Sequence, residues 1–436
     1  MKKRVIISGA GGRDFHNYLI YFRNDPHCEV VAFTATQIPG IEKRSFPKEL
    51  TREKKKDIPI YPEAKLAELI TKLHVDYVYL SYSDQSHQQV MAFASRVLAA
   101  GANFGLLGTK DTYVPSKKPV IAVCAVRTGS GKSQTSRALA ELFRKTGKKV
   151  VGIRHSMPYG KLLDETCQRF AHERDFKKFK TTIEEEEEYQ PWLDHGFVIY
   201  AGFDYKAIVR QAEQEADVLI FDGGNNDLPF LKPDLHIVVA DPHRAGHELT
   251  YYPGFVNFLL ADIIIINKVD SAQKKDVELI AQHAQKYNPH AKIILARSEL
   301  VVKNHGLIKG KKCLVVGDGP TLSHGGMSFG AGSIAVKRYG GTFVDPRKYA
   351  VGSIKKTFED FPHLTYEVPA MGYGKKQVED LATTINNVPC DVVVDGTPAN
   401  LKRVMTFKRL VIEVGYELGH KAVRELEKVL KKKFLK

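Results

Sequence analysis

A glycine-rich loop in front of a helical pattern carries the clearest chemistry in this sequence. The apolar run 120–126 is followed by Thr-Gly-Ser-Gly-Lys-Ser at 128–133 and by a helix-like stretch to residue 145. This is the order of a phosphate-binding P-loop, in which backbone N–H groups surround phosphates, the lysine contacts the terminal ones and the hydroxyl ligates Mg²⁺. Val126 stands where the strict pattern has its first glycine. The predicted nucleotide contacts are Arg127, Thr128, Gly129, Ser130, Gly131, Lys132, Ser133 and Gln134.

Two later strand ends supply partners for such a loop. The run 218–221 ends at Asp222, which we predict to act beside Lys132 in catalysis and to join Ser133 in holding Mg²⁺. The apolar run 263–266 is followed by Asn-Lys-Val-Asp, the Asn-Lys-x-Asp form with which GTP-binding proteins recognise guanine. The predicted base contacts are Asn267, Lys268 and Asp270, with a plain strand-end turn as the alternative. The sequence therefore predicts Mg²⁺ and either ATP or GTP.

Basic side chains occupy loops after other strands of the same series. Loops that follow parallel strands meet at the carboxyl edge of a sheet, where ligands bind. The predicted catalytic residues in these loops are Arg154, His155 and Arg244, and the predicted substrate contacts are His243 and His324. His324 belongs to the glycine-rich stretch 317–327, which we expect to form an anion nest. An ordinary capped loop is the alternative for the two basic loops.

The N-terminal glycine motif gives a separate prediction. Gly-Ala-Gly-Gly-Arg-Asp at 9–14 is similar to a dinucleotide fingerprint, but Asp14 takes the place of the third glycine and no acidic residue ends the second strand. These departures argue against NAD. We expect a Rossmann-like domain whose loop binds a different anion with the help of Arg13 and His16, with a purely structural turn as the alternative.

An acidic run lies in the middle of the chain, where residues 184–188 are all glutamate. A run of like charges is usually exposed to solvent. We therefore expect these residues to form the solvated start of a helix, and we prefer that interpretation to a metal site.

The alternation of apolar strands and helical patterns predicts an α/β fold with parallel sheets. A polar stretch with two prolines at 115–119 marks the first domain boundary. We predict a Rossmann-like domain over 1–117, a P-loop NTPase domain over 118–308, and an α/β region over 309–436 that completes the substrate site.

Composition indicates a soluble globular protein with a basic surface. The chain has 436 residues, and 65 Lys and Arg against 50 Asp and Glu give a formal net charge of +15, which favours anionic ligands. Aromatic and basic residues do not interleave as in nucleic-acid sites, so a nucleic acid is not predicted. Five scattered cysteines and short apolar runs predict a cytoplasmic protein without membrane contact. The oligomeric state stays open, a homo-oligomer included.

Several motifs together resemble one family over nearly the whole chain. They are Gly-Arg-Asp-Phe-His-Asn at 12–17, Arg-His-Ser-Met-Pro-Tyr-Gly at 154–160, Glu-Glu-Tyr at 187–189, Asp-Gly-Gly-Asn-Asn-Asp at 222–227, Asp-Pro-His-Arg at 241–244, Gly-His-Glu-Leu at 246–249 and Gly-Asp-Gly-Pro-Thr at 317–321. With these motifs the chain resembles the cyclic 2,3-diphosphoglycerate synthetase-like family, some members of which are labelled predicted GTPases.

The resemblance implies a ligase that joins the two phosphates of 2,3-diphosphoglycerate into an intramolecular anhydride with ATP cleavage. Lys132, Ser133 and Asp222 would then handle the nucleotide and Mg²⁺. The cationic loops would contact this small, phosphorylated anion and offset the repulsion between its phosphates. The same loops would equally serve a regulatory or maturation GTPase that acts on a protein partner.

Overall fold

The fold of the computed structural model is organised by three large β-sheets that follow one another along the chain. The structure describes residues 2–9, 11–36, 41–155, 158, 160–224, 227–323, 326–371, 374–397 and 400–434. None of the helices in this described part of the chain combines the length and the apolar composition that crossing a bilayer requires.

The first sheet is Rossmann-like, because its central strand, Lys3–Ser8, pairs in parallel with Cys28–Ala35 on one side and with Tyr77–Leu80 on the other. Its other described strands are Ile58–Pro62, Asn103–Gly105 and the antiparallel edge strand Ser45–Phe46. The α-helices of this unit are Arg13–Asn17, which continues as a π-helical turn over Tyr18–Phe22, Leu66–Lys72, His87–Ala99 and Thr109–Thr112. A short antiparallel pair, Gln85–Ser86 with Tyr251–Tyr252, joins this unit to the second one.

The second sheet has the strand Val120–Ala125 at its centre, between Val218–Asp222 and Leu235–Ala240. Its remaining described strands are Val150–His155, Gln168–Phe170, Val198–Gly202, Ile263–Ile266 and Lys292–Leu295. Every pairing in it is parallel except that of Gln168–Phe170, and buried apolar clusters cover both faces. Its α-helices are Lys132–Arg144, Arg174–Phe179, Ile183–Asp194, Tyr205–Glu215, His247–Thr250, Gly254–Leu260 and Lys274–Tyr287.

The third sheet begins with Ser298–Val302, before residue 308 where the sequence places a boundary, because this strand pairs antiparallel with Leu410–Leu418. The other described strands are Lys312–Asp318, Thr342–Phe343, Glu367–Ala370 and Val392–Gly396, all paired in parallel. The α-helices are Gly319–Leu322, Ala331–Arg338, Gly352–Asp360, Lys375–Asn387 and His420–Phe434.

The C-terminal helix, His420–Phe434, returns from the third sheet to the second. Its buried Leu426 and Leu430 belong to the same apolar cluster as Phe143 of the helix Lys132–Arg144. Arg137 of that helix also donates to the carbonyl of Tyr416. The third sheet is therefore fixed against the helix that follows the predicted P-loop, and a cleft lies between them.

Candidate nucleotide-binding cleft

The loop between Val120–Ala125 and Lys132–Arg144 has the geometry of a P-loop. Gly129 and Gly131 both have positive φ, 78° and 109°, a region that glycine enters without strain. At Gly131 the side-chain amides of Asn267 and Gln134 occupy the space that a Cβ would need, so only glycine fits. Lys132 begins the helix, whose first N–H groups face the loop.

A cleft of about 770 Å³ opens from this loop towards the third sheet. The predicted residues that line it are Thr128, Gly129, Gly131, Lys132, Ser133, Gln134, Arg154, His243, Lys268 and Asp270. The predicted residues that the structure describes but does not place on its wall are Arg13, His16, Arg127, Ser130, His155, Asp222, Arg244 and Asn267. His324 lies outside the described residues.

Three side chains donate hydrogen bonds to backbone carbonyls of the P-loop. The hydrogen bonds run from Asn267 Nδ2 to Ser130 O (2.9 Å), from Lys268 Nζ to Gly129 O (2.7 Å) and from Arg244 Nη2 to Thr128 O (2.6 Å). Asp241 in turn accepts from Lys268 and Arg244. Because these carbonyls are engaged, the loop is fixed in the conformation that leaves its N–H groups for phosphates. Asn267 and Arg244 thus support the P-loop, while their expected roles, a base contact for Asn267 and a catalytic residue for Arg244, stay predictions.

Arg244→Ala is expected to weaken nucleotide binding by about tenfold, because hydrogen bonds from charged groups contribute about 1.5–3 kcal/mol each. Titration calorimetry with a non-hydrolysable nucleotide measures the change. His243→Ala is the matched control, since the neighbouring imidazole bonds Ser271 at 2.9 Å. Unchanged nucleotide affinity with a raised substrate KM would return Arg244 to a substrate role.

The N-terminal unit supports the start of the P-loop. Asp84 accepts from Arg127 Nε at 2.6 Å and from Thr128 Oγ1 at 3.1 Å. The Arg127 guanidinium also lies 3.8 Å from the centre of the Tyr251 ring, a cation–π contact. Arg127 therefore joins two units of the protein, and its predicted contact with the nucleotide stays a prediction.

Asp222 lies at the predicted strand end but faces a buried cation. It is fully buried, with Oδ1 3.1 Å from Arg154 Nη1 and Oδ2 accepting from the Trp192 indole N–H at 3.2 Å. Arg154 also pairs with Glu188 at 2.7 Å. Burial alone would lower the pKa of Arg154, but Glu188 and Asp222 raise it above its usual range. Arg154 is therefore permanently charged at the wall of the cleft.

The donor set fits Mg²⁺ only in part. Ser133 presents its hydroxyl at the cleft, where a P-loop cation sits beside the phosphates. Mg²⁺ keeps several waters and needs few protein ligands, so the hydroxyl and phosphate oxygens suffice for its direct contacts. Both carboxylate oxygens of Asp222 contact protein groups, Arg154 and Trp192, and the expected role of Asp222 in holding Mg²⁺ stays a prediction.

Lys132 is buried at the floor of the cleft. Burial, reinforced by the nearby charge of Arg154, lowers the pKa of Lys132 to about 8, while Asp222 and Asp84 oppose the shift. A buried ammonium gains most from a polyanionic partner, because the low local dielectric strengthens their attraction. Its position at the first turn of the helix is that of the phosphate-binding lysine.

Four residues of the glutamate run, 184–187, are buried, contrary to the solvated helix start that we expected. Thr182 and Glu185 form a capping box that begins the helix Ile183–Asp194, which we call the acidic helix. Glu184, Glu187 and Glu188 line the cleft. Glu186, on another side of the helix, pairs with Arg403 of the third unit, the part of the chain that contains the third sheet. Docking of the third unit covers the run, a long-range event that local charge patterning does not reveal.

The third sheet adds two carboxylates to the same wall. Asp318 and Asp395 end neighbouring parallel strands, and both line the cleft. Asp318 accepts from the N–H and hydroxyl of Thr321, and Thr321 lies close against Gly129 of the P-loop. Burial raises the pKa of Asp318, and it raises the pKa of Asp395 to about 7. The described part of 317–327 is thus an acidic turn at the cleft, in place of the expected anion nest.

Three predicted cations are structural. Arg13 donates to the carbonyl of Leu228, and His16 donates to that of Thr112 at 2.7 Å. Burial, followed by the charge of Arg13, lowers the pKa of His16 well below its usual value, so it is neutral. His155 bridges the carbonyl of Gly11 and Asp227 at 3.1 Å each. Arg13 and His155 join the first and second units through these bonds, and the His16 ring packs against Tyr205 and Phe230 of the second unit.

In the N-terminal glycine-rich loop, a carboxyl group of the chain itself occupies the backbone N–H groups. The Asp14 carboxylate accepts from the N–H groups of Gly11 and Gly12 at 3.1 Å each. Burial raises the pKa of Asp14 to about 7. Because the carboxyl group occupies the donors that would hold a phosphate, this loop does not offer the anion site that we expected with Arg13 and His16.

Asp270, Ser298 and Gln134 form one hydrogen-bonded group beside the P-loop. Asp270 Oδ1 accepts the backbone N–H of Ser298 at 3.1 Å, and the Ser298 hydroxyl donates to Gln134. Lys268, with φ of 56°, turns the chain between Asn267 at the P-loop and Asp270 at the cleft. Of the Asn-Lys-x-Asp tetrapeptide, Lys268 and Asp270 line the cleft, and their contact with a base stays a prediction.

Comparison with known proteins now identifies the family. No family model matches the chain. Arginine synthetase ArcE of Thermococcus kodakarensis is 53% identical over 431 residues, which span 98% of this chain and 96% of the relative. This chain belongs to the arginine synthetase ArcE family. Membership of the ArcE family and the P-loop together confirm the predicted class, a P-loop NTPase of the synthetase type, while the name of the relative specifies arginine where the sequence resemblance suggested a cyclic phosphoanhydride.

Solved structures give weaker likenesses. LpxK from Aquifex aeolicus in complex with ATP is 12% identical with a TM-score of 0.43, over 85% of this chain and 99% of that one. Cobyrinic acid a,c-diamide synthase from Mycobacterium smegmatis, with an ATP analog and magnesium, is 16% identical with a TM-score of 0.20, over 41% and 72%. Both TM-scores lie below 0.5, so the fold assignment rests on strand order and P-loop geometry in this chain.

Proposed function

We propose that this chain is a nucleoside triphosphate-dependent ligase that forms arginine by making a carbon–nitrogen bond. The observation that carries the proposal is the polarity of the cleft, which has the P-loop with Lys132 at one side and buried carboxylates at the other. The first side suits phosphates and the second suits a nitrogen-rich substrate. The relationship to arginine synthetase ArcE supports the choice of product.

The chemistry follows from the structure of arginine. Phosphoryl transfer activates an oxygen, and the amino acid with oxygen in place of one guanidinium nitrogen is the ureido compound citrulline. Its ureido oxygen attacks the γ-phosphorus and ADP or GDP leaves; ammonia then attacks the activated carbon, and inorganic phosphate leaves with that oxygen. The reaction consumes one nucleotide, one citrulline and one ammonia, and yields one arginine, one nucleoside diphosphate and one phosphate.

The residues of the cleft divide this work. The P-loop N–H groups orient the triphosphate, and Lys132 and Arg154 offset the charge that builds on the transferred phosphoryl group. Mg²⁺, when bound, would sit at Ser133 and neutralise phosphate oxygens. The third sheet closes the opposite wall and limits the access of water, which would otherwise hydrolyse the activated intermediate.

Asp270 is the residue we propose to select the base. Guanine presents two N–H donors to a carboxylate, so Asp270→Asn is expected to weaken GTP binding and to improve binding of xanthosine triphosphate, whose hydrogen-bond pattern is reversed. Competition binding with ATP, GTP and xanthosine triphosphate measures this. If ATP is preferred and Asp270→Asn changes nothing, the tetrapeptide acts only as a P-loop support.

Cyclic 2,3-diphosphoglycerate synthesis is the second candidate, favoured by the motifs that the sequence shares with that family. The acidic helix and Asp318 disfavour it, because like charges at close range cost several kcal/mol. A GTPase that acts on a protein partner is the third. Phosphorus NMR of protein, Mg²⁺ and nucleotide separates them: we expect free phosphate with citrulline and ammonia, whereas a cyclic anhydride from 2,3-diphosphoglycerate, or hydrolysis that only a partner protein stimulates, would overturn the arginine proposal.

A further inference from the structure

Glu187 is a buried carboxylate that the proposed phosphoryl transfer does not use. Its side chain lies on the cleft wall and is only 5% exposed, and neither carboxylate oxygen has a hydrogen-bond partner among the residues that the structure describes. Buried polar groups are nearly always hydrogen-bonded, and an unpaired buried carboxylate is costly. Such a group in a ligand cleft points to a partner supplied by the ligand.

The surroundings of Glu187 are themselves acidic. After burial, the carboxylates of Asp318, Glu184, Asp395 and Glu188 are the causes that raise the pKa of Glu187. Glu188 is neutralised by Arg154. The side chains that converge on Glu187 thus favour a cation.

Glu187 and the carboxylates around it, Glu184, Asp318 and Asp395, form an acidic wall of the cleft. This acidic wall lies next to the phosphate end of the cleft. Glu188, the neighbour of Glu187, reaches Asp222 through Arg154, and Asp222 ends the strand beside the P-loop strand. On the other side, Asp318 is linked through Thr321 to Gly129. A group held at the acidic wall would therefore lie close to the transferred phosphoryl group.

We propose that Glu187, Asp318 and Asp395 form a guanidinium pocket, which binds the newly made guanidinium of the product beside the phosphate site. The choice of guanidinium as the ligand of this pocket rests on the proposed function, the synthesis of arginine. Carboxylates bind guanidinium through parallel, charge-assisted hydrogen bonds. A metal ion suits the site less well, because in the described ranges of the chain no group of three His, Cys, Asp or Glu is arranged to hold one.

The test is titration of L-arginine into the protein saturated with ADP or GDP, for wild type and for Glu187→Gln, which keeps the side-chain volume. We expect Glu187→Gln to lose about tenfold to a hundredfold in arginine affinity, and to keep its nucleotide affinity. Glu186→Gln is the matched control, because Glu186 is a buried glutamate of the same helix that pairs with Arg403 away from the cleft. Its arginine affinity should stay at the wild-type value.

A purely structural role for Glu187 predicts something else. Removal of an unpaired buried carboxylate should leave the melting temperature of the nucleotide-free protein unchanged or raise it, whereas a structural carboxylate would lower it. Unchanged arginine affinity in Glu187→Gln, or an equal loss in Glu186→Gln, would overturn the pocket.

The pocket and the proposed function can fail separately. If wild type makes arginine but Glu187→Gln binds it equally well, the function stands and the pocket is wrong. If wild type makes no arginine, the affinities for agmatine, which has a guanidinium group, and for citrulline, which has a neutral ureido group, are compared. Tighter binding of agmatine by wild type that is lost in Glu187→Gln would support the pocket. Equal binding of the two compounds by wild type would refute it.

Discussion

Lys132→Ala is expected to reduce nucleotide turnover by at least about 10²–10³-fold, the usual loss when one preorganised electrostatic contact to a transition state is removed. The lysine is buried at the first turn of the P-loop helix, the position from which the lysine of a P-loop contacts the terminal phosphates. Steady-state release of phosphate, with and without the amino-acid substrate, measures the effect.

The control for this variant is Lys145→Ala, at the exposed C-terminal cap of the same helix. It should turn over nucleotide at the wild-type rate. Circular dichroism and the melting temperature show whether Lys132→Ala is folded. Normal turnover by a folded Lys132→Ala protein would contradict the P-loop assignment.

Arg154→Ala should cause the largest loss of stability, about 3–5 kcal/mol in the free energy of unfolding. The substitution leaves Asp222, fully buried, without its cation, and it removes the partner of Glu188. Arg154→Lys should recover only part of the loss, since an ammonium lacks the planar fork that reaches both carboxylates. Urea unfolding followed by the fluorescence of Trp192, the one tryptophan, measures the change at a site that contacts Asp222.

Arg169→Ala is the comparison for Arg154→Ala. Arg169 pairs with Glu215 at 2.6 Å, but both side chains are partly exposed, and exposed ion pairs contribute about 0–1 kcal/mol. If Arg154→Ala also lowers the free energy of unfolding by less than about 1 kcal/mol, water or rearrangement must satisfy Asp222. The ion pairs of Arg154 would then not stabilise the fold as we predict.

Local sequence features predicted the parallel sheets well. Buried parallel strands are continuous apolar runs, so the runs 218–221 and 263–266 coincide with the strands Val218–Asp222 and Ile263–Ile266. The P-loop was predictable because its glycines and Lys132 are required within a few residues of one another. The strand Leu410–Leu418 was not predicted, although its buried Ile412 and Val414 alternate with more exposed residues, as in a strand with one solvated face.

The direction of side chains could not be predicted from the sequence. Asn267 and Arg244 have the residue types of ligand contacts, yet the fold turns them to the carbonyls of the P-loop. Glu187 has the type of a solvated residue, yet the third unit covers it. In each case the deciding contact joins segments far apart in the chain, which local pattern and charge do not encode.

Incorporation of ¹⁵N into arginine tests whether the protein makes arginine from citrulline and ammonia. Wild-type protein is incubated with ¹⁵N-ammonium, citrulline, Mg²⁺ and ATP or GTP, and the products are measured by mass spectrometry and phosphorus NMR. We expect arginine with one ¹⁵N, one phosphate released for each arginine, and no product with Lys132→Ala. Nucleotide cleavage without labelled arginine, or a cyclic anhydride from 2,3-diphosphoglycerate in its place, would contradict the proposed function.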